Sequence, residues 1–132
     1  MKEEFEFMKE KATDFYRYAL LAIKDKKYYI SALHFEQSAQ LYLKYTLALL
    51  LGDFPKTHSL NKLLNLIIKS TKNKKISKNL EKFKEKWQEI IFDLEEAYFT
   101  SRYFPVEFPR DKILKMQKFV DELRKNLKTL WT

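Results

Sequence analysis

Breaks in this chain are scarce: one glycine, Gly52, and three prolines, Pro55, Pro105 and Pro109, occur in 132 residues. The backbone therefore has few places to turn, most of it must lie in long elements, and sheet-rich folds are disfavoured. The stretch Tyr28 to Leu51, YYISALHFEQSAQLYLKYTLALLL, contains neither breaker and reads as a long central helix. Ala32, Ala39 and Thr46 recur at intervals of seven, with Phe35, Leu43, Leu47 and Leu50 beside them at spacings of three and four. One face thus carries a seam of small residues that a second helix can approach closely. Glu36, Gln40 and Lys44 stack at intervals of four along the flank of that face, so a polar group is expected opposite them. Gly52 is placed to end the helix in a left-handed turn.

The rest of the chain reads as four further helices. Phe5, Met8, Ala12, Phe15, Tyr16, Ala19, Ala22 and Ile23 keep one face apolar from about Glu3 to Lys24. The short turn Asp25 to Lys27 makes that helix an antiparallel neighbour of the central one. A loop of Asp53, Phe54 and Pro55 leads to a short third helix that starts near Thr57 to Ser59 and carries Leu60, Leu63, Leu64, Ile67 and Ile68. The basic segment Lys69 to Ser77 is expected as a surface loop. Leu80, Phe83, Trp87, Ile90, Ile91, Leu94, Ala97 and Tyr98 predict one fourth helix. Thr100 to Arg110, with its two prolines, is expected as an aromatic loop. From about Asp111, Ile113, Met116, Val120, Leu123, Leu127 and Leu130 predict a fifth helix to the end. The expected fold is all-α: one domain over residues 1–132, an up-and-down bundle of four to five helices in which the third is a short crosspiece.

Composition narrows the function classes. A chain of this length buries enough surface for a core without staples. No cysteine is present, which excludes disulfides and thiolate metal sites and fits a reducing interior, so a cytoplasmic location is expected. The charged N-terminal stretch does not resemble a signal peptide, and the apolar run Tyr45 to Leu51 is far shorter than a membrane span. Twenty-six basic against 18 acidic side chains leave a formal charge of +8, which favours phosphate-bearing partners. Lysines that simply solvate helix faces account for the same number. Aromatic residues make up 16% of the chain, more than its core needs. Tyr42, Tyr45, Phe99, Tyr103, Phe104 and Phe108 are therefore candidates for a subunit interface, and a homodimer is expected.

A lone glycine cannot build a phosphate-binding loop, and no nucleophile motif is present. Neither His34 nor His58 follows a glutamate at the spacing a di-metal carboxylate bundle uses, so no metal or other cofactor is expected. Glu95 and Glu96 are adjacent, point apart, and read as solvated charges. Three places set polar residues in apolar company. Glu36, Gln37 and Gln40 interrupt a largely buried segment, and a buried carboxylate needs partners. Thr57 and His58 stand at the mouth of the third helix, where backbone donors could hold an anion. Ser101 and Arg102 lie among Tyr98, Phe99, Tyr103 and Phe104, where the arginine is either stacked and paired structurally or presented to a phosphate.

His34-Phe35-Glu36-Gln37-Ser38-Ala39, Leu43-Lys44, Leu51-Gly52, Thr57-His58-Ser59-Leu60 and Tyr98-Phe99-Thr100-Ser101-Arg102-Tyr103, in that order and separation, resemble the HEPN domain family. The resemblance implies a bundle of four or five helices, commonly dimeric, that binds a nucleotide or RNA. It also implies a neighbouring minimal nucleotidyltransferase, as in two-gene modules of which some are toxin–antitoxin systems. Many members are metal-independent ribonucleases in which four to six residues separate an arginine from a following histidine. After Arg102 the corresponding positions hold Glu107, Phe108 and Pro109, so the general acid/base of that mechanism is missing and the resemblance is to a non-nuclease branch. The candidate site for a nucleotide or other anion comprises Arg102, Tyr103, His58, Glu36 and Gln40. Two alternatives remain open: a ribonuclease with an unconventional site, and a purely structural interaction subunit.

Overall fold

The computed structural model describes residues 2–105 and 107–131. Met1, Val106 and Thr132 lie outside them, so Val106 within the expected aromatic loop and the last position of the expected fifth helix are not described. The chain is all-helical, with α1 Lys2–Lys24, α2 Tyr28–Leu51, α3 Leu60–Ser70, α4 Lys74–Lys86, α5 Gln88–Tyr103 and α6 Arg110–Lys128. All six contribute to one apolar core.

Helix α2 packs against α1, α3, α5 and α6. A helix covered on so many sides cannot show a clean polar face, and its buried residues include Ser31, Glu36, Ser38, Gln40, Lys44 and Thr46. The small-residue seam does what its spacing suggests. Ala32 and Ala39 are buried with Ala12 and Ala19 of α1, and the backbones come close enough for Ser31 Oγ to donate to Ala19 O at 3.0 Å and Ser38 Oγ to Ala12 O at 2.7 Å. The turn between α1 and α2 closes with Lys27 N donating to Ala22 O and Lys26 N to Ile23 O at 2.8 and 2.9 Å. That is a Schellman pattern, and it forces Lys26 to φ +59° without the help of a glycine. Gly52, at φ +84°, closes α2 by donating its N–H to Ala48 O.

Three expectations change. The single fourth helix is two, because Trp87 leaves helical geometry at φ −105°, ψ +16° and ends α4 while starting α5. Its ring packs edge-on against Phe119 of α6 and its Nε1 donates to Glu122 Oε1 at 3.2 Å, so the bend falls where α6 grips the chain. The surface loop Lys69 to Ser77 shrinks to three residues: α3 runs on to Ser70, and Asn73 caps α4 by accepting from Lys75 N and Ile76 N. At the other end α5 continues through Ser101 and Arg102 to Tyr103, so the connection to α6 starts at Phe104.

The interface assigned to Tyr42 and Tyr45 is also corrected. Both are buried, at 2% and 0% exposure, beneath Trp131, which lies flat on Tyr42 and edge-on to Tyr45 with ring centroids 5.8 and 5.4 Å apart. Trp131 Nε1 donates to Thr46 Oγ1 at 2.8 Å. The phenols are satisfied as well: Tyr42 Oη pairs with Thr13 Oγ1 at 2.7 Å and Tyr45 Oη donates to Glu6 at 3.1 Å. Phe99, Tyr103 and Phe104 remain exposed, joined by Phe92, and Phe108 is half-buried.

Candidate functional site

Glu36 and Gln40 stand one turn apart on α2, and both are buried. The carboxylate is held by its own helix: Oε1 accepts from Gln37 Nε2 at 2.7 Å and Oε2 from Gln40 Nε2 at 2.9 Å. Burial pushes the Glu36 carboxyl up from 4.5 to about 7, and the charge of Glu95 adds to the shift. The two amide hydrogen bonds and the positive charge of Arg102 oppose it. Lys44, one turn further on, is pulled down by burial while Glu36 pulls it up.

Gln40 links this buried carboxylate to the surface, since its Oε1 lies 3.0 Å from His58 Nδ1. His58 sits in the α2–α3 connection. That connection is tied down by Asp53 Oδ1, which accepts from Phe54 N at 2.8 Å, and by the edge-on contact of Phe54 with Phe5 of α1. The imidazole stacks on Tyr98 of α5 with centroids 5.2 Å apart and planes 22° apart. Arg102, one turn beyond Tyr98, lays its guanidinium 4.6 Å from the same ring and 5.5 Å from Tyr103. No carboxylate forms an ion pair with Arg102 among the described residues. The structural role in which Arg102 directly neutralises Glu36 is therefore not what the geometry shows; the arginine acts on that carboxyl only through space.

Phe15, Leu33, His34, Gln37, Gln40, His58, Tyr98 and Arg102 line an open cleft of about 290 Å³. The structure thus brings Gln40, His58 and Arg102 to one surface, with Glu36 directly beneath it. Tyr103 does not line the cleft; it is 66% exposed and turned outward, and Tyr98 takes the position expected of it. His34 opens the family-like stretch of α2 and is not among the expected site residues. It leans on Phe15 at 5.5 Å, its Nδ1 is buried with no partner among the described residues, and burial lowers its pKa, which favours the neutral ring.

The expected anion site at the start of α3 is filled from within the protein. Glu95 Oε1 accepts from Asn61 N at 2.9 Å and from Ser59 Oγ at 3.2 Å, while Ser59 Oγ accepts from Lys62 N. A carboxylate at a helix N-terminus is favoured by the same unsatisfied N–H groups that would hold a phosphate. Glu95 is accordingly a capping group and not a solvated charge. Among the described residues that line the cleft, Arg102 supplies the Lys or Arg charge. No group of three or more His, Cys, Asp or Glu side chains suited to a metal ion occurs among the described residues.

The fold and site together define a small helical bundle with a cleft made of one unpaired arginine, two imidazoles and a tyrosine platform over a buried carboxylate. A family model described as HEPN domain matches residues 5–130, and the chain belongs to that family. No curated protein and no solved structure matches it. No helix among the described residues is long and apolar enough to cross a membrane.

Proposed function

We propose that this HEPN-domain chain binds a phosphate-bearing ligand, a nucleotide or RNA, in the cleft between α2 and α5, as a homodimer that associates with a minimal nucleotidyltransferase in the manner of a toxin–antitoxin component. The observation that carries the binding half is Arg102: its charge is free of carboxylates and its guanidinium carbon stands 4.6 Å from the centre of the Tyr98 ring. A guanidinium oriented in this way offers a phosphate two parallel hydrogen bonds, and the neighbouring rings offer a base a surface to stack on. The dimer half is supported by Phe92, Phe99 and Tyr103, which line one exposed side of α5 beside exposed Phe104.

Arg102→Ala is expected to weaken nucleotide or RNA binding by about 1.5–3 kcal/mol, the worth of a charged hydrogen bond. Arg102→Lys is expected to lose most of the affinity because lysine lacks the fork. Neither change should move the melting temperature by more than a degree or two, since Arg102 is exposed and unpaired. Calorimetric titration and thermal unfolding of the three proteins check this, and destabilisation with unchanged affinity would show that the arginine serves the fold instead.

A second reading, a ribonuclease with an unconventional site, is favoured by one observation: His58 and Arg102 share the Tyr98 ring although no histidine follows Arg102 at the family's spacing. The binding reading expects RNA to be recovered intact from the same samples. RNA cleavage by the wild type that Arg102→Ala abolishes decides for the nuclease.

For the dimer, light scattering at micromolar concentration is expected to give twice the chain mass of 16.1 kDa. Phe99→Glu on the exposed side of α5 should return the monomer. A monomeric wild type at that concentration removes the homodimer from the proposal.

A further inference from the structure

The contact between Gln40 and His58 has a direction that Glu36 imposes. An ionised carboxylate can only accept hydrogen bonds, and both Glu36 oxygens take theirs from amide nitrogens, Oε1 from Gln37 and Oε2 from Gln40. Gln40 must therefore turn its Nε2 inward to Glu36 and its Oε1 outward, 3.0 Å from His58 Nδ1. An amide oxygen cannot donate, so the proton in that bond belongs to His58 Nδ1. A neutral imidazole carries one N–H and one lone pair, which leaves the lone pair on Nε2. That is the reverse of the tautomer a free histidine side chain favours. Nε2 has no protein partner among the described residues, and the ring it belongs to lines the cleft beside Arg102.

We propose that Glu36 and Gln40 are positioning residues that lock His58 in the Nδ1-protonated form, so that the cleft presents an acceptor beside its phosphate-binding arginine and selects phosphate esters carrying a hydroxyl donor next to the phosphate. The selectivity rests on the phosphate-binding reading above; the relay does not. A ribose 2′-hydroxyl beside a 3′-phosphate has the required donor, and a deoxyribose lacks it. The charges facing Glu36 are Arg102 and Glu95 from α5 and Lys44 from α2. With its carboxyl raised to about 7, Glu36 is the acceptor this relay needs above that pH.

The test uses the ligand-free, nitrogen-labelled full chain at about pH 8.5, above the range in which the Glu36 carboxyl titrates. The chain has two histidines, His34 and His58, so a His34→Gln variant assigns the ring signals. The expected spectrum shows His58 Nε2 as a lone-pair nitrogen and Nδ1 as N–H. In Gln40→Leu the ring should revert to the Nε2–H form, and in Glu36→Gln, whose amide no longer dictates a direction, both forms should coexist. Nε2–H in the wild type overturns the relay, as does an unchanged tautomer in folded Gln40→Leu. The selectivity is then read by calorimetry with adenosine 3′-monophosphate and its 2′-deoxy analogue. A preference of roughly fivefold, the worth of one hydrogen bond, is expected for the ribonucleotide and should vanish in Gln40→Leu. Equal affinities overturn the selectivity while leaving the phosphate site standing. No binding of either nucleotide overturns the phosphate-binding reading and the selectivity with it, and the ring spectrum still decides the relay.

Discussion

Trp131→Ala is expected to destabilise the fold by about 3–5 kcal/mol, the usual cost of removing a large buried aromatic side chain. The indole closes the bundle where α2 and α6 meet, covering Tyr42 and Tyr45 and donating its N–H to Thr46 Oγ1. Thr46 Oγ1 itself donates to Tyr42 O at 2.8 Å, so truncation opens a cavity and leaves an acceptor without its donor. Trp131→Phe separates the two effects. It retains most of the packing and loses the hydrogen bond, for which about 1 kcal/mol is expected together with a smaller volume penalty. Urea unfolding at neutral pH measures both. If Tyr42 and Tyr45 instead belonged to a subunit interface, Trp131→Ala would cost less than about 1 kcal/mol and would change association more than unfolding.

Trp131 also shows where local sequence reading stops. The role of α2 at the centre was legible because the features that reveal it, the alanines at intervals of seven and the mixture of polar and apolar faces, are properties of one segment. The cover over Tyr42 and Tyr45 comes from a residue 85 positions away from its partner Thr46, and no periodicity within α2 announces it. Glu95 was misread for the same reason. Its partners Ser59 and Asn61 lie 36 and 34 positions earlier, whereas adjacency to Glu96 says only that the two diverge. The bend at Trp87 was hidden because the apolar spacing runs through it unbroken, without proline or glycine. By contrast, the short connection before α4 carried a readable sign, an asparagine ahead of a half-buried isoleucine.

The site was partly legible, and its one displaced residue has a simple geometric cause. Placing the end of the fourth helix near Thr100 left Arg102 in a loop, where any neighbouring aromatic could serve it. Because α5 continues to Tyr103, Tyr98 and Arg102 stand at i and i+4 on one face. Tyr103, one residue on, is rotated by about 100° away from them. Extending the helix by one turn would have selected Tyr98 from sequence alone. Phe15 and His34, in contrast, reach the cleft from the packing of α1 on α2, which spacing within either helix does not predict.

Glu36→Gln is expected to stabilise the protein above neutral pH, by roughly 3 kcal/mol at pH 8. The carboxyl titrates near 4.5 when unfolded and is raised to about 7 when folded. Below 4.5 both states hold the proton and the group is neutral in each. As the pH climbs from there, the unfolded chain releases its proton while the folded chain keeps it, so stability falls through this window and levels off above about 7. A glutamine carries no such proton. The difference between variant and wild type should therefore be small at pH 4.5, grow between 4.5 and 7, and remain constant beyond, reaching on the order of 10 °C in melting temperature. Other carboxylates titrate in the same range, but they do so in both proteins and cancel in the difference. Melting curves at four or five pH values decide the matter: a difference independent of pH would show that Glu36 is ionised as readily in the bundle as in water. Under the proposed relay, a charge that weakens the fold at neutral pH, when an amide of the same shape would fit, is accounted for by what it orients. Glu36 reaches His58 through Gln40, so the stability gained by Glu36→Gln should be accompanied by loss of the fixed imidazole beside Arg102.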